Sequence, residues 1–177
     1  MYALRSSEGI ACYVLSRNGE ISWQVIDGNG VLLDKRIPFK TKGLNSRELF
    51  FGATALSDDG KILAMGMCSF PRLYLFNRKT GKSLSIAPDL YADSAVKALL
   101  RSPEARQKMF YCGAHIAGDR IYAMYLDPSP TIQVFDFEGN LYDVISIPDM
   151  LVNFIVEDGT ITGITPDGEV VRYRKES

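Results

Sequence analysis

Gln24-Val25-Ile26-Asp27, then after a short turn Gly30-Val31-Leu32-Leu33-Asp34, returns later in the chain as Gln133-Val134-Phe135-Asp136 and Gly139-Asn140-Leu141-Tyr142-Asp143. Leu75-Phe76-Asn77 followed by Gly81-Lys82-Ser83-Leu84 is a third copy. Each copy has apolar, β-branched or aromatic residues on either side of a turn rich in Gly, Asn and Asp. Such runs are too short for helices, and the turn residues tolerate the positive φ that a tight hairpin demands. The unit therefore reads as a β-hairpin used three times.

A second set of matches precedes it. Leu56-Ser57-Asp58-Asp59-Gly60-Lys61-Ile62, Ile116-Ala117-Gly118-Asp119-Arg120-Ile121 and Val156-Glu157-Asp158-Gly159-Thr160-Ile161 each place a turn between two apolar runs. Two hairpins in succession make a four-stranded unit repeating at about 40–50 residues, the period of a propeller blade. One such sheet cannot bury both of its faces alone, whereas stacked blades convert every face into core. The expected fold is all-β, a β-propeller of four-stranded antiparallel blades. About four are present, and they form a single domain or propeller fragment over residues 1–177.

The blades are expected at about Tyr2 to Ile37, Phe50 to Ile86, Phe110 to Ile147 and Val152 to Tyr173. The last holds only three strands, and a strand lent by the N-terminal region is the expected completion. Asp93-Ser94-Ala95-Val96-Lys97-Ala98-Leu99-Leu100, with Asp93 as N-cap, reads as a short helix. Ser102-Pro103-Glu104-Ala105-Arg106 offers a second helical start in the same insertion.

Composition narrows the functional classes. Lys and Arg number 20 against 21 Asp and Glu, a net charge of −1. That balance gives no electrostatic footprint for nucleic acid. No apolar run is long enough to span a bilayer as a helix, and Met1 to Glu8 has no apolar signal-peptide region. The mature form of an exported protein would lack that region too, so location stays open.

Residues capable of chemistry are sparse. His115, the one histidine, lies in the strand-like Cys112-Gly113-Ala114-His115-Ile116. Strand alternation places Cys112 and His115 on opposite faces, against a Cys-His dyad. Cys12, Cys68 and Cys112 lie in or beside apolar runs without metal-ligand spacing and read as small hydrophobes, a disulfide plus a free thiol being the alternative. Asp58-Asp59, Glu157-Asp158 and Asp167 fall in turns, where their side chains bond the local backbone. No Walker loop, GxGxxG, HExxH or EF-hand is present. No catalytic residue, metal ligand or cofactor is assigned. Trp23, Tyr122 and Tyr125 read as inter-blade core, although an axial recognition platform would use the same residue types.

Asp119-Arg120-Ile121-Tyr122-Ala123-Met124-Tyr125, with Ile132-Gln133-Val134-Phe135-Asp136-Phe137-Glu138-Gly139-Asn140 and the closing Val170-Val171-Arg172-Tyr173-Arg174, resembles the C-terminal part of TolB-like six-bladed propellers. The likeness is good over about Phe110 to Lys175 and looser over Phe51 to Ile86. That family consists chiefly of lipoproteins of Bacteroides-type bacteria, so the resemblance implies full-length relatives that are exported to the periplasm or cell envelope. Six blades need about 240–300 residues, more than the 177 here. The family pattern consists of turns and strands and transfers no catalytic residue.

The function expected is a non-catalytic module binding a protein, peptide or glycan. The alternative is a propeller hydrolase or lyase with an axial site, its metal held by loop carboxylates and His115. Converging Asp, Glu and His side chains at the axis would favour the enzyme, and their scatter among hairpins the binder. Exposed faces on the two terminal blades would favour either closure as a smaller, four-bladed propeller or self-association through those blades.

Overall fold

A computed structural model describes residues 3–6, 9–15, 21–39, 53–86 and 109–174. The described residues contain fifteen strands and no helix. The helical expectation at Asp93 to Arg106 lies outside the described residues.

The first sheet comprises β1 (Ala3–Ser6), β2 (Gly9–Leu15), β3 (Ile21–Ile26) and β4 (Leu32–Phe39). The second has β5 (Ala53–Leu56), β6 (Ile62–Gly66), β7 (Leu73–Asn77) and β8 (Lys82–Ile86). The third has β9 (Tyr111–Ala117), β10 (Arg120–Tyr125), β11 (Thr131–Phe135) and β12 (Leu141–Ser146). The fourth has β13 (Asn153–Glu157), β14 (Thr160–Ile164) and β15 (Val170–Arg174). Each sheet is an antiparallel meander with its strands in chain order. The first strands lie beside one another from sheet to sheet, β1 by β5, β5 by β9 and β9 by β13. This is the blade arrangement of a β-propeller, with first strands nearest the axis.

β1 pairs with β2 inside the first blade. The N-terminal strand thus completes its own blade rather than the fourth, contrary to the expectation from sequence.

Alternation along the strands divides each blade into two faces. Ala55, Ala64, Leu73 and Leu75 of the second blade meet Tyr111, Ile121, Ala123 and Phe135 of the third in one buried cluster. Met124, Ile132 and Val134, on the opposite face of the third blade, meet Phe154, Val156 and Ile161 of the fourth in another. Between the first two blades, Trp23 is buried and meets the Phe76 ring edge-on at 5.9 Å. Arg78 closes this seam. Its guanidinium lies 5.3 Å from the Trp23 ring centroid, and its Nε donates to Asp34 Oδ2 at 2.8 Å.

The second and third blades approach so closely that one position excludes a side chain. A Cβ at Gly66 would stand 2.6 Å from Tyr111 Cβ and 2.8 Å from its Cγ. The backbones are tied at this point, Phe110 N–H to the Cys68 carbonyl at 2.9 Å and Tyr111 N–H to the Met67 carbonyl at 3.2 Å. Overpacking that moves paired backbone typically costs about 1–3 kcal/mol. Gly66→Ala is expected to lower the urea midpoint accordingly with an unchanged slope. An unaltered midpoint would show that the seam can part freely.

Candidate functional site

One recurring turn governs the hairpins. A side-chain oxygen at its first position accepts the backbone N–H four residues on, and the intervening glycine takes positive φ. Asp27 does this for Val31 at 2.8 Å, Ser57 for Lys61 at 3.1 Å, Asp136 for Asn140 at 2.8 Å and Thr165 for Glu169 at 3.2 Å. The glycines Gly30, Gly60, Gly139 and Gly168 have φ between 69° and 88°, a region a Cβ disfavours. Asp158-Gly159, with φ of 47° and 71°, makes the other hairpin type.

The Ser57 turn forms one wall of a cavity of about 330 Å³ between the second and third blades. Ser57, Asp58, Asp59 and Lys61 come from the β5–β6 turn, Asn77 and Lys79 from the β7–β8 turn, and Gly118 and Phe137 from hairpins of the third blade. Ile62 and Ile116, both buried, provide apolar surface within it. Polar groups thus stand around an apolar interior, the usual composition of a recognition pocket.

The rim is held in shape by its own hydrogen bonds. Ser57 Oγ donates to Asp59 Oδ1 at 2.7 Å and accepts the Ile62 N–H at 2.9 Å. Lys61 Nζ donates to Asp59 Oδ2 at 2.7 Å. The hydrogen bond from the Lys61 side chain, followed by that from Ser57, brings the Asp59 carboxyl down to about 2. Asp59 therefore stays charged across the physiological range and remains tied to Lys61. Asp58 and Lys79 are exposed at the cavity.

His115 lies on β9 opposite Tyr122, half-buried on the face toward the fourth blade. Burial lowers its pKa. Asp58, a hydrogen bond with the Val156 backbone and Glu157 act in the opposite direction. Carboxylates of the second and fourth blades therefore influence the histidine of the third from either side. Among the described residues no three of His, Cys, Asp and Glu are placed to hold a metal ion. Asp58 and Asp59, Asp158 and Asp167 occupy separate turns, as their spacing indicates.

Cys112 and His115 do not lie on opposite faces, contrary to the expectation from strand alternation. Met124 pairs with Gly113 but Tyr125 pairs with Tyr111, so Cys112 is the extra residue of a bulge. The bulge returns Cys112 to the fourth-blade side, where it packs with that cluster and its thiol donates to the Leu151 carbonyl at 3.3 Å. Cys112 and His115 thus share a side, each with a separate backbone partner. Cys68 donates to the Tyr111 carbonyl at 2.8 Å. Both cysteines are free and partly buried, and burial drives their thiols up, to about 11 at Cys68 and about 12 at Cys112. Cys12 lies on β2, and its side chain is outside the described residues.

The aromatic candidates are core. Trp23 and Tyr125 are buried, and Tyr125 stands 5.0 Å from the Tyr111 ring, whose hydroxyl donates to Gln133 Oε1 at 2.8 Å. Tyr122 is half-buried against the seam of the third and fourth blades. The cavity itself escaped the sequence reading, because its walls come from hairpins of two blades. Its sequence signal is the set of turn motifs, whose residues are equally explained by local turn structure.

Comparison with known proteins supports the fold. No family model matches the chain, and no curated protein matches it. Among solved structures it is similar to the computationally designed Ika4 protein, with 15% identity and a TM-score of 0.57, covering 97% of this chain and 88% of that one. It is also similar to Saccharomyces cerevisiae Sqt1, with 12% identity, a TM-score of 0.56 and coverage of 95% and 42%. The RRP9 WD40 repeats match at 14% identity, a TM-score of 0.50 and coverage of 98% and 53%. The chain spans about half the length of these last two. WD40 repeats are propeller blades, so the chain is a β-propeller with TolB-like character neither required nor supplied by these likenesses.

Two outcomes follow from the site's electrostatics. The imidazole is expected to titrate below its ordinary 6.5, read from the Cε1 proton by NMR. A folded pKa below the unfolded one favours the neutral form, so its stabilisation is present above pH 6.5 and lost as pH falls through the folded value. A midpoint at or above 6.5 would mean that the carboxylates outweigh burial. In a Cys12→Ser variant, the two remaining thiols are expected to react slowly with a disulfide reagent at pH 8 until denaturant is added. Immediate reaction of both would contradict their burial.

Proposed function

We propose that this propeller is a non-catalytic binding module whose cavity between the second and third blades receives an apolar side chain of a protein or peptide partner. The observation carrying this reading is the cavity's composition, with Ile62, Ile116 and Phe137 among the polar and charged groups of hairpin turns. Such an arrangement takes an apolar group and leaves Asn77, Lys79 and Asp58 to meet the polar backbone beside it. The separate backbone partners of His115 and Cys112 favour binding over an axial hydrolase or lyase site. Neighbours that include WD40 repeats are in keeping with a recognition role, although fold alone assigns no ligand.

The motifs from Phe110 to Lys175 favour kinship with TolB-like exported lipoproteins within the same reading. Self-association through the terminal blades would bury a face of mixed chemistry. The outward face of the fourth blade exposes Ile155 at 45%, Ile164 at 42% and Val170 at 68%. These stand among exposed or half-exposed Asn153, Thr160, Thr162, Arg172 and Arg174, which reduce the gain from burying that face.

N-acetyl-tryptophanamide and N-acetyl-leucinamide are suitable probes. Either is expected to shift the amide resonances of Ile62, Ile116 and Lys79 selectively, and Phe137→Ala to weaken that binding several-fold. Shifts absent at millimolar probe would refute the pocket. Shifts produced by maltose instead would move the reading to a glycan.

A further inference from the structure

The third strands of the blades differ in what lies beyond them. β7 has β8 on its outer side and β11 has β12, each antiparallel. β15 pairs with β14, and among the described residues no strand lies on its other side. The outer edge of β15 is a fourth-strand position bounded by a folded blade, and a strand edge of this kind accepts an extended segment through main-chain hydrogen bonds.

The side chains select the occupant. Val171 and Tyr173 point toward the seam with the third blade, where they pack on its buried cluster. Val170, Arg172 and Arg174 alternate with them on the outward face. Arg172 and Arg174 are exposed, and their partners on β14 are Thr162 and Thr160. Directly opposed residues of an antiparallel pair share a face. A strand on this edge would therefore set two side chains, two residues apart, against the arginines, and the residue between them beside Tyr173 over the seam.

We propose that β15 recruits an extended segment of another protein with an acidic–apolar–acidic pattern, completing the fourth blade by strand addition. This surface is distinct from the cavity of the proposed function and does not depend on it. A second copy of β15 fits poorly. The only antiparallel register that pairs all five residues of two such strands opposes Arg172 to Arg172, and like charges directly opposite are destabilising. β1 is also unavailable, since it is paired within the first blade.

The test uses the full chain and two synthetic peptides, acetyl-Thr-Glu-Val-Glu-Val-Thr-amide and its counterpart with Lys for Glu. Hydrogen exchange is followed at Val170 to Arg174, with β13 and β14 as the control for folding. The acidic peptide is expected to slow exchange in β15 and to bind about tenfold more tightly than the basic one at low salt, with the preference fading as salt rises. Arg172→Glu with Arg174→Glu is expected to reverse the preference while leaving β13 and β14 protected. Equal binding of both peptides, or of neither, would overturn the proposal. So would full protection of β15 without peptide: protection that rises with protein concentration would identify a second copy, and constant protection a segment of the same chain.

Discussion

The contact between Gly66 and Tyr111 is the point on which the blade stack depends. Three- and four-stranded meanders with strands of four to eight residues have too little core of their own, so the third blade depends on the faces it shares with the second and the fourth. Tyr111 is fully buried at the former, against a position that admits no side chain. The backbone bonds from Phe110 and Tyr111 to Cys68 and Met67 fix β9 along the end of β6 and leave little freedom to slide. With β9 set, its other face fixes the fourth blade, because Gly113 admits the Phe154 ring to within 3.0 Å of where a Cβ would stand. Two glycines on neighbouring blades thus determine successive inter-blade spacings.

The seams are not equivalent. Those on either side of the third blade carry extended apolar clusters, the Tyr111 hydroxyl in the first of them bonding to Gln133. The seam between the first two blades adds the ion pair of Arg78 with Asp34, both partly shielded, and the guanidinium over Trp23. Partial burial strengthens such a pair relative to an exposed one while adding desolvation cost. Its main effect is therefore directional: a planar fork bound to a carboxylate and resting on an indole fixes orientation better than apolar contact does. The same β7–β8 turn that carries Arg78 toward the first blade carries Lys79 to the cavity. One short turn thus supplies a residue to the seam and another to the cavity rim.

Local chemistry made much of this fold legible. The expected blades at Tyr2 to Ile37, Phe50 to Ile86, Phe110 to Ile147 and Val152 to Tyr173 agree with the four sheets to within a few residues, because Asp, Ser or Thr followed by glycine specifies a turn without help from distant residues. Nonlocal relations were hidden. Asp34 and Arg78 are separated by 44 positions, and nothing in either neighbourhood announces the pairing. The Cys112 bulge changes which side a residue occupies, and Gly113 beside it is equally accounted for by the close approach of the Phe154 ring. Ser57 was visible as a turn residue, but its place beside Ile116 follows only from how two blades stack.

The fourth blade shows how alternation gives the two faces of one strand different chemistry. In β7 the face toward the next blade carries buried Leu73 and Leu75, and in β11 it carries buried Ile132 and Val134. The corresponding positions of β15 are Val170, Arg172 and Arg174. An arginine directed into a seam needs an acceptor there, as Arg78 has in Asp34, or it loses hydration at a cost that its stem's apolar contacts do not offset. The other side of the same strand keeps Val171 and Tyr173 against the third blade, so the change in chemistry is confined to one face. The outward side therefore combines exposed Ile155, Ile164 and Val170 with two arginines, and whatever packs against it must leave both guanidinium groups hydrated or give each an acceptor.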